Sequence, residues 1–138
     1  MAFWLLKTEP SAYSFADLVR DRRTRWDGVT NPQALANLRA MEPGDEVLVY
    51  HSGAKEAVGR ARVARAAYAD PADASGRAVV VDVAAGEALP APVPLDRLKS
   101  DPAFRDSPLV RQGRLSVVPL TAAQWSAVER LSRSATRP

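Results

Sequence analysis

The amino-acid sequence predicts a single α+β domain, a small mixed β-barrel with helices packed at its ends. Three observations carry that expectation. The 138 residues are the size of one domain, enough to bury a core without metals or disulfides to staple it. The elements legible from periodicity run strand, two helices, several short strands, a connector, a strand and a closing helix, not as alternating βαβ units. Helix-start signals stand at Ser14, Asn31 and Thr121. The domain is expected to occupy residues 1–132, with a frayed tail over residues 133–138.

Residues 3–8 read as the first strand. Phe3 and Leu5 face one way, Trp4 and Leu6 the other, so both faces are covered, and Pro10 ends the run. Ser14-Phe15-Ala16-Asp17 has the form of a capping box and opens a short helix reaching about Arg20. Residues 21–25 are polar and lead into Trp26-Asp27-Gly28, which reads as a loop between two helices. Asn31 is the expected N-cap of the second helix and Pro32 its first residue, where a missing N–H costs nothing. Ala34, Leu38 and Met41 share one face of it, and Pro43-Gly44 stops it.

Strands are expected over residues 45–51, 57–63 and 77–83, with Gly53 and Lys55 in the first turn and a surface loop over residues 69–76. Pro90, Pro92 and Pro94 make residues 88–94 a connector, and residues 95–100 can form one or two helical turns. Residues 115–118 read as the last strand. Thr121 and Gln124 form a second capping box, Leu120 can staple onto Trp125, and Trp125, Val128 and Leu131 give the buried stripe of a final helix.

Composition excludes several function classes. There is no cysteine, which removes disulfides, thiolate nucleophiles, Fe–S clusters and Cys-type zinc sites. One histidine, His51, is too few for a His-only metal site, and no zinc-deaminase ligand set exists. Seven scattered glycines form no phosphate-cradling loop, and no Gly-x-Ser-x-Gly elbow is present. The sequence therefore points to no catalytic residues, no metal and no cofactor. No apolar run nears the roughly 18–20 residues of a membrane span, and the apolar start meets charge at Lys7, so no membrane association and a cytoplasmic location are expected. The net charge is +3, and 16 of the 19 cationic residues are Arg. Arg suits bidentate phosphate contacts and base stacking, although an Arg- and Ala-rich chain is also what a GC-rich genome yields.

The residues that stand out are aromatic and polar ones near strand ends and loops. Trp26 in a loop is either a plug for one end of the barrel or a face on which a base stacks. Tyr50-His51-Ser52 closes a strand with three hydrogen-bonding side chains. Lys7 and Glu9 end the first strand, as a surface ion pair or as site residues. Asn31 is a helix cap whose helix N-terminus can also hold an anion.

These residues fall within a longer pattern. Phe3-Trp4-Leu5-Leu6-Lys7-Thr8-Glu9-Pro10, then Trp26-Asp27-Gly28-Val29 with Asn31, Gln33, Asn37-Leu38-Arg39 and Met41, then Gly44-Asp45, Tyr50-His51-Ser52 and Val58-Gly59, and last Arg111-Gln112, Arg114-Leu115-Ser116-Val117, Pro119, Thr121 and Trp125 occur in order from Phe3 to Trp125. Together they resemble EVE domains. The resemblance implies a PUA-like fold, related to YTH and ASCH domains, and recognition of a modified base in DNA or RNA with no chemistry performed. It implies a base pocket drawing on Trp4, Lys7, Glu9, Ser14, Trp26, Asn31, Tyr50, Ser52, Arg114 and Ser116, with His51 a lesser candidate. The chain departs from the pattern at Thr30, Pro32 and Leu35, where the family's block carries Arg, Tyr and Arg, and at Ala78, where a Trp often stands.

The leading expectation is thus a reader of a modified nucleobase, presented flipped or single-stranded. Arg20, Arg22, Arg23 and Arg25 would track phosphate beside Trp26, unless they are simply a solvated loop. The alternative is a small-molecule or protein-interaction module that has lost nucleic-acid binding, which the departures at Thr30, Pro32 and Leu35 favour. The oligomeric state is not fixed by the sequence, and a monomer is the working expectation.

Overall fold

A computed structural model describes residues 1–135 of the chain. Its first element is β1 (Phe3–Thr8), apolar on both faces as its sequence requires, and Leu5 and Leu6 are fully buried. Helix α1 (Phe15–Asp21) follows. Ser14 accepts from the Asp17 N–H at 3.1 Å while the Asp17 carboxylate accepts from the Ser14 N–H at 2.9 Å, the reciprocal capping expected. The chain then turns through Arg22, at φ 67°, into β2 (Arg23–Trp26). The stretch expected to be a loop is therefore an edge strand. Its three polar residues hide the apolar alternation, but backbone pairing with residues 81–84 and an Arg23–Asp82 ion pair at 3.0 Å hold it in the sheet.

Helix α2 (Pro32–Ala40) begins at Asn31, whose side chain accepts from the Ala34 N–H, and buries Ala34 and Leu38, with Met41 behind them. Strands β3 (Glu46–His51), β4 (Glu56–Ala69) and β5 (Val79–Pro94) form an antiparallel meander. Here the connector expected over residues 88–94 is corrected, because those residues continue β5. The register with β4 passes from Ala88 directly to Val93, so Pro90 and Pro92 stand in an irregular stretch where no ladder donor is required of them. Strand β2 reaches only to Ala84, and the Ala91 N–H and carbonyl are both met by the buried Ser132 hydroxyl, at 2.9 and 2.6 Å. Short helices α3 (Leu95–Lys99) and α4 (Pro108–Arg111) flank a 3₁₀ turn, Pro102–Phe104. Strand β6 (Val117–Leu120) lies two residues later than expected and leads to α5 (Ala122–Ala135). The Thr121–Gln124 capping box is made, at 2.8 and 3.1 Å, and Trp125 packs on Phe3 with ring centroids 5.2 Å apart. The expected frayed stretch is helical from Arg133 to Ala135, and its remainder, residues 136–138, lies outside the described residues.

The strands form one six-stranded mixed sheet in the order β2-β5-β4-β3-β1-β6, with β1 and β3 the parallel pair. The class is α+β, but the barrel expected from the element order is not closed. Both edge strands are four residues long, and β6 carries Pro119, which has no N–H to offer another strand. The sheet nevertheless curls: residues of β2 and of β1 line the two sides of one cleft, although they lie near opposite edges.

Candidate functional site

The curl of the sheet creates a cleft of about 450 Å³. One side is the end of β1, where Lys7 and Thr8 pair with Tyr50 and His51 of β3. Because β6 stops pairing at Leu6, the Lys7 N–H reaches back to the Ser116 carbonyl at 2.9 Å, which seats Ser116 beside it. The other side is the end of β2, with Thr24, Arg25 and Trp26, continued by Asp27, Gly28 and Val29. Gly28, at φ +75°, makes the turn that brings Val29 back to the core.

Tyr13 closes the wall. The Thr8 hydroxyl donates to the Tyr13 carbonyl at 2.7 Å and pins the loop between β1 and α1. The Tyr13 ring then stands edge-on to Trp26, 6.4 Å between centroids at 89°, and its hydroxyl donates to Asp21 at 2.9 Å. Burial is the main cause that pushes the Tyr13 phenol above its ordinary value. Trp26 is only 7% exposed. It is part of the core and part of the cleft wall at once, which neither sequence reading taken alone describes.

Lys7 sits at the junction with a second, smaller cleft of about 280 Å³ that also holds Tyr50 and Ser52. Its ammonium donates to the Gly113 carbonyl at 2.8 Å and lies 5.7 Å from the centre of the Tyr50 ring. Partial burial lowers its pKa, and burial raises that of the Tyr50 phenol. Asn31 and Arg114 line a third recess with Gln112 and Gly113. Lys7, Trp26 and Ser116 therefore meet in one cleft, Tyr50 and Ser52 adjoin it through Lys7, and Asn31 and Arg114 lie beyond the segment 113–116.

The remaining candidates stand elsewhere. Trp4 is buried, and its indole N–H donates to Asp45 at 3.0 Å. Asp45 is 4% exposed and also accepts from the backbone N–H of Ala2 and Glu42. Burial alone would raise its carboxyl pKa, but these hydrogen bonds outweigh it and hold the group below its ordinary value. Ser14 caps α1, and Glu9 faces Ser52 and Ser11 at 3.5 and 3.4 Å on the rim. His51 Nε2 accepts from the Phe15 N–H at 3.0 Å, joining β3 to α1. Arg20 pairs with Asp17 and Asp21, Arg23 with Asp82 and Arg25 with Asp70, so three of the four expected phosphate cations face carboxylates of their own chain.

Sequence reasoning missed Tyr13, Thr24 and Asp27 in the cleft. Tyr13 precedes a helix cap, and Thr24 lies in the strand mistaken for a loop, so neither carried a signal of its own. Among the described residues no three of His, Cys, Asp and Glu cluster as a metal site would, and no helix is long and apolar enough to cross a membrane.

Comparison with known proteins places this geometry among relatives. The family model described as "EVE domain" matches residues 2–131. Mouse thymocyte nuclear protein 1 is 30% identical over 171 aligned positions, covering 99% of this chain and 75% of that protein. The human protein matches at 39% over 80 residues, and there the match spans 36% of that protein's length. Rpa0253 from Rhodopseudomonas palustris superposes with a TM-score of 0.90 at 40% identity, covering 99% of this chain and 97% of that one. Human THYN1 protein, in a complex with 5-methylcytosine-containing DNA, superposes at 0.87 with 29% identity and full coverage of both chains. The YTH domain of Zygosaccharomyces rouxii MRB1 protein shares the fold, at TM-score 0.60 and 14% identity over 96% of this chain and 84% of that one.

Proposed function

The chain belongs to the EVE domain family, and from that premise we propose that it binds a modified nucleobase in nucleic acid and performs no chemistry on it. The observation that carries this reading is the cleft between Trp26 and Lys7. Its volume, about 450 Å³, lies in the range of small-ligand sites, and it combines aromatic walls with a few polar groups. Trp26 and Tyr13 offer ring surface, Lys7 offers ammonium protons, and Thr24 and Ser116 are hydroxyl residues in the same lining. A base still stacked and paired in a duplex cannot reach such a recess, so the ligand is an extruded or single-stranded base. The human relative's complex with 5-methylcytosine-containing DNA makes that base the first to test. The curled, unclosed sheet is read as a PUA-like fold.

The test is a set of short single-stranded oligonucleotides, DNA and RNA, identical except for one central base, cytosine or 5-methylcytosine, adenine or N6-methyladenine. Anisotropy titrations should give tighter binding to one modified member than to its unmodified partner. Equal affinity across every pair would reject base reading and leave only backbone attraction. Measurable conversion of any oligonucleotide would reject the non-catalytic assignment.

A further inference from the structure

The chain uses Arg at 16 of its 19 cationic positions, yet all three of its lysines, Lys7, Lys55 and Lys99, line the second cleft. Three separate elements deliver them. Lys7 ends β1. Lys55 stands in the β3–β4 turn at φ +56°, where a side chain is disfavoured and Gly or Asn would be at ease. Its carbonyl accepts from the Leu95 N–H at 2.9 Å, which holds this turn against the start of α3, and Lys99 is the last residue of that helix, one turn on. No carboxylate lines the cleft, whereas two other recesses mix both signs, Glu46 and Glu87 with Arg60 and Arg62, and Asp96 and Asp101 with Arg97. Among the described residues Lys55 and Lys99 make no ion pair, and the only polar contact of the Lys7 ammonium is with the Gly113 carbonyl. Glu9 stands nearby, but its carboxylate is turned to Ser52 and Ser11.

Three lysines and no carboxylate among the lining residues make this cleft cationic, and a bound anion is favoured in such a place. Lysine is the fitting cation for a compact tetrahedral anion approached from several sides, since it acts as a point charge with three rotatable donors, where Arg presents a flat fork. Tyr50 and Ser52 add hydroxyls to the same cleft. We propose that this lysine cleft binds phosphate, and that the phosphate is the backbone group next to the base held in the Trp26 cleft. The placement as a strand phosphate rests on the base-binding reading, because Lys7 is shared by both clefts. A free phosphate compound is the other source of the same chemistry.

The test compares the wild-type protein with the Lys55→Gln/Lys99→Gln double variant. Both residues are exposed, so the variant should melt with the wild type. Single-strand binding loses about 0.7 of salt slope per phosphate contact. The double variant, losing that one phosphate, should therefore lose about 0.7 in slope and about 5-fold in affinity at 0.1 M salt, with its preference for the modified base unchanged. Inorganic pyrophosphate, followed by NMR shifts of the lysine side chains, is the second arm. Wild-type slope and affinity in the double variant overturn the proposal. If no strand binds but pyrophosphate titrates the wild type and not the variant, the cleft is a phosphate site for a free ligand and the base-binding reading fails on its own. If neither probe binds the wild type, the phosphate site is refuted.

Discussion

Replacing Trp26 with Ala tests the residue in which stability and binding meet. At 7% exposure nearly all of the side chain is core, and truncating such a residue costs about 3–5 kcal/mol. The low end applies here, because one wall of the resulting void opens on the cleft and water can enter it. With an unfolding entropy of about 2.1 cal/mol/K per residue, 138 residues give about 0.29 kcal/mol/K, so a loss of about 3 kcal/mol lowers Tm by about 10 °C. The binding effect is separate. A base that loses its stacking partner loses about 1–3 kcal/mol, roughly 5- to 150-fold in Kd. The assay is calorimetric or CD melting followed by oligonucleotide titration at about 10 °C, where the variant remains folded. Trp26→Phe, which keeps a ring in place, should recover most of the stability and part of the affinity. A Trp26→Ala variant that melts within about 2 °C of wild type refutes the core assignment. One that melts low but binds with wild-type affinity refutes the stacking role.

Three further outcomes follow from the packing. Asp45→Ala strands three donors, from Ala2, Trp4 and Glu42, and should cost about 3 kcal/mol by chemical denaturation. Because the folded-state pKa of Asp45 is lowered, the stability it contributes is full above its unfolded value near 4 and is lost as pH falls through the folded value. Asp45→Asn should thus flatten the stability curve below about pH 4, and a curve parallel to wild type there would show that the carboxylate is not favoured by its neighbours. A Cβ on Gly59 would lie 2.3 Å from the Phe15 ring, so Gly59→Ala should destabilise by about 1–3 kcal/mol. Phe15→Leu should suppress part of that loss in a double-mutant cycle, and strict additivity would show that the ring is not the obstacle.

What was legible in the sequence was local chemistry. The caps at Ser14, Asn31 and Thr121 need only residues three apart, and all three helices begin where expected. Residues 3–8 alternate two apolar faces, and the strand is observed at those bounds. What escaped was decided by partners distant in sequence. Arg23-Thr24-Arg25 becomes a strand because residues 82–84 offer a free edge, and Asp82 lies opposite to pair with Arg23. Residues 88–94 remain a strand despite three prolines because Ser132, 41 residues away, meets the backbone of Ala91. The unclosed sheet follows from two edge strands whose shortness no periodicity announces. For the site, the family resemblance gathered ten residues into one pocket, of which Lys7, Trp26 and Ser116 share this cleft, and it gave no hint of Tyr13. Nor did it show that Lys55 and Lys99, from the β3–β4 turn and the end of α3, share a cleft with Lys7.

The three tryptophans make the central claim directly measurable. Trp4 is fixed by its hydrogen bond to Asp45, Trp125 is packed on Phe3, and Trp26 alone of the three lines the cleft between β1 and β2. Each indole gives one ¹⁵N–¹H signal. Titration with a short single strand carrying the preferred modified base should move the Trp26 indole signal saturably and leave those of Trp4 and Trp125 in place. The unmodified strand at the same concentration should move it less. Binding that leaves the Trp26 signal unmoved, or that shifts Trp4 or Trp125 instead, would contradict base recognition in this cleft.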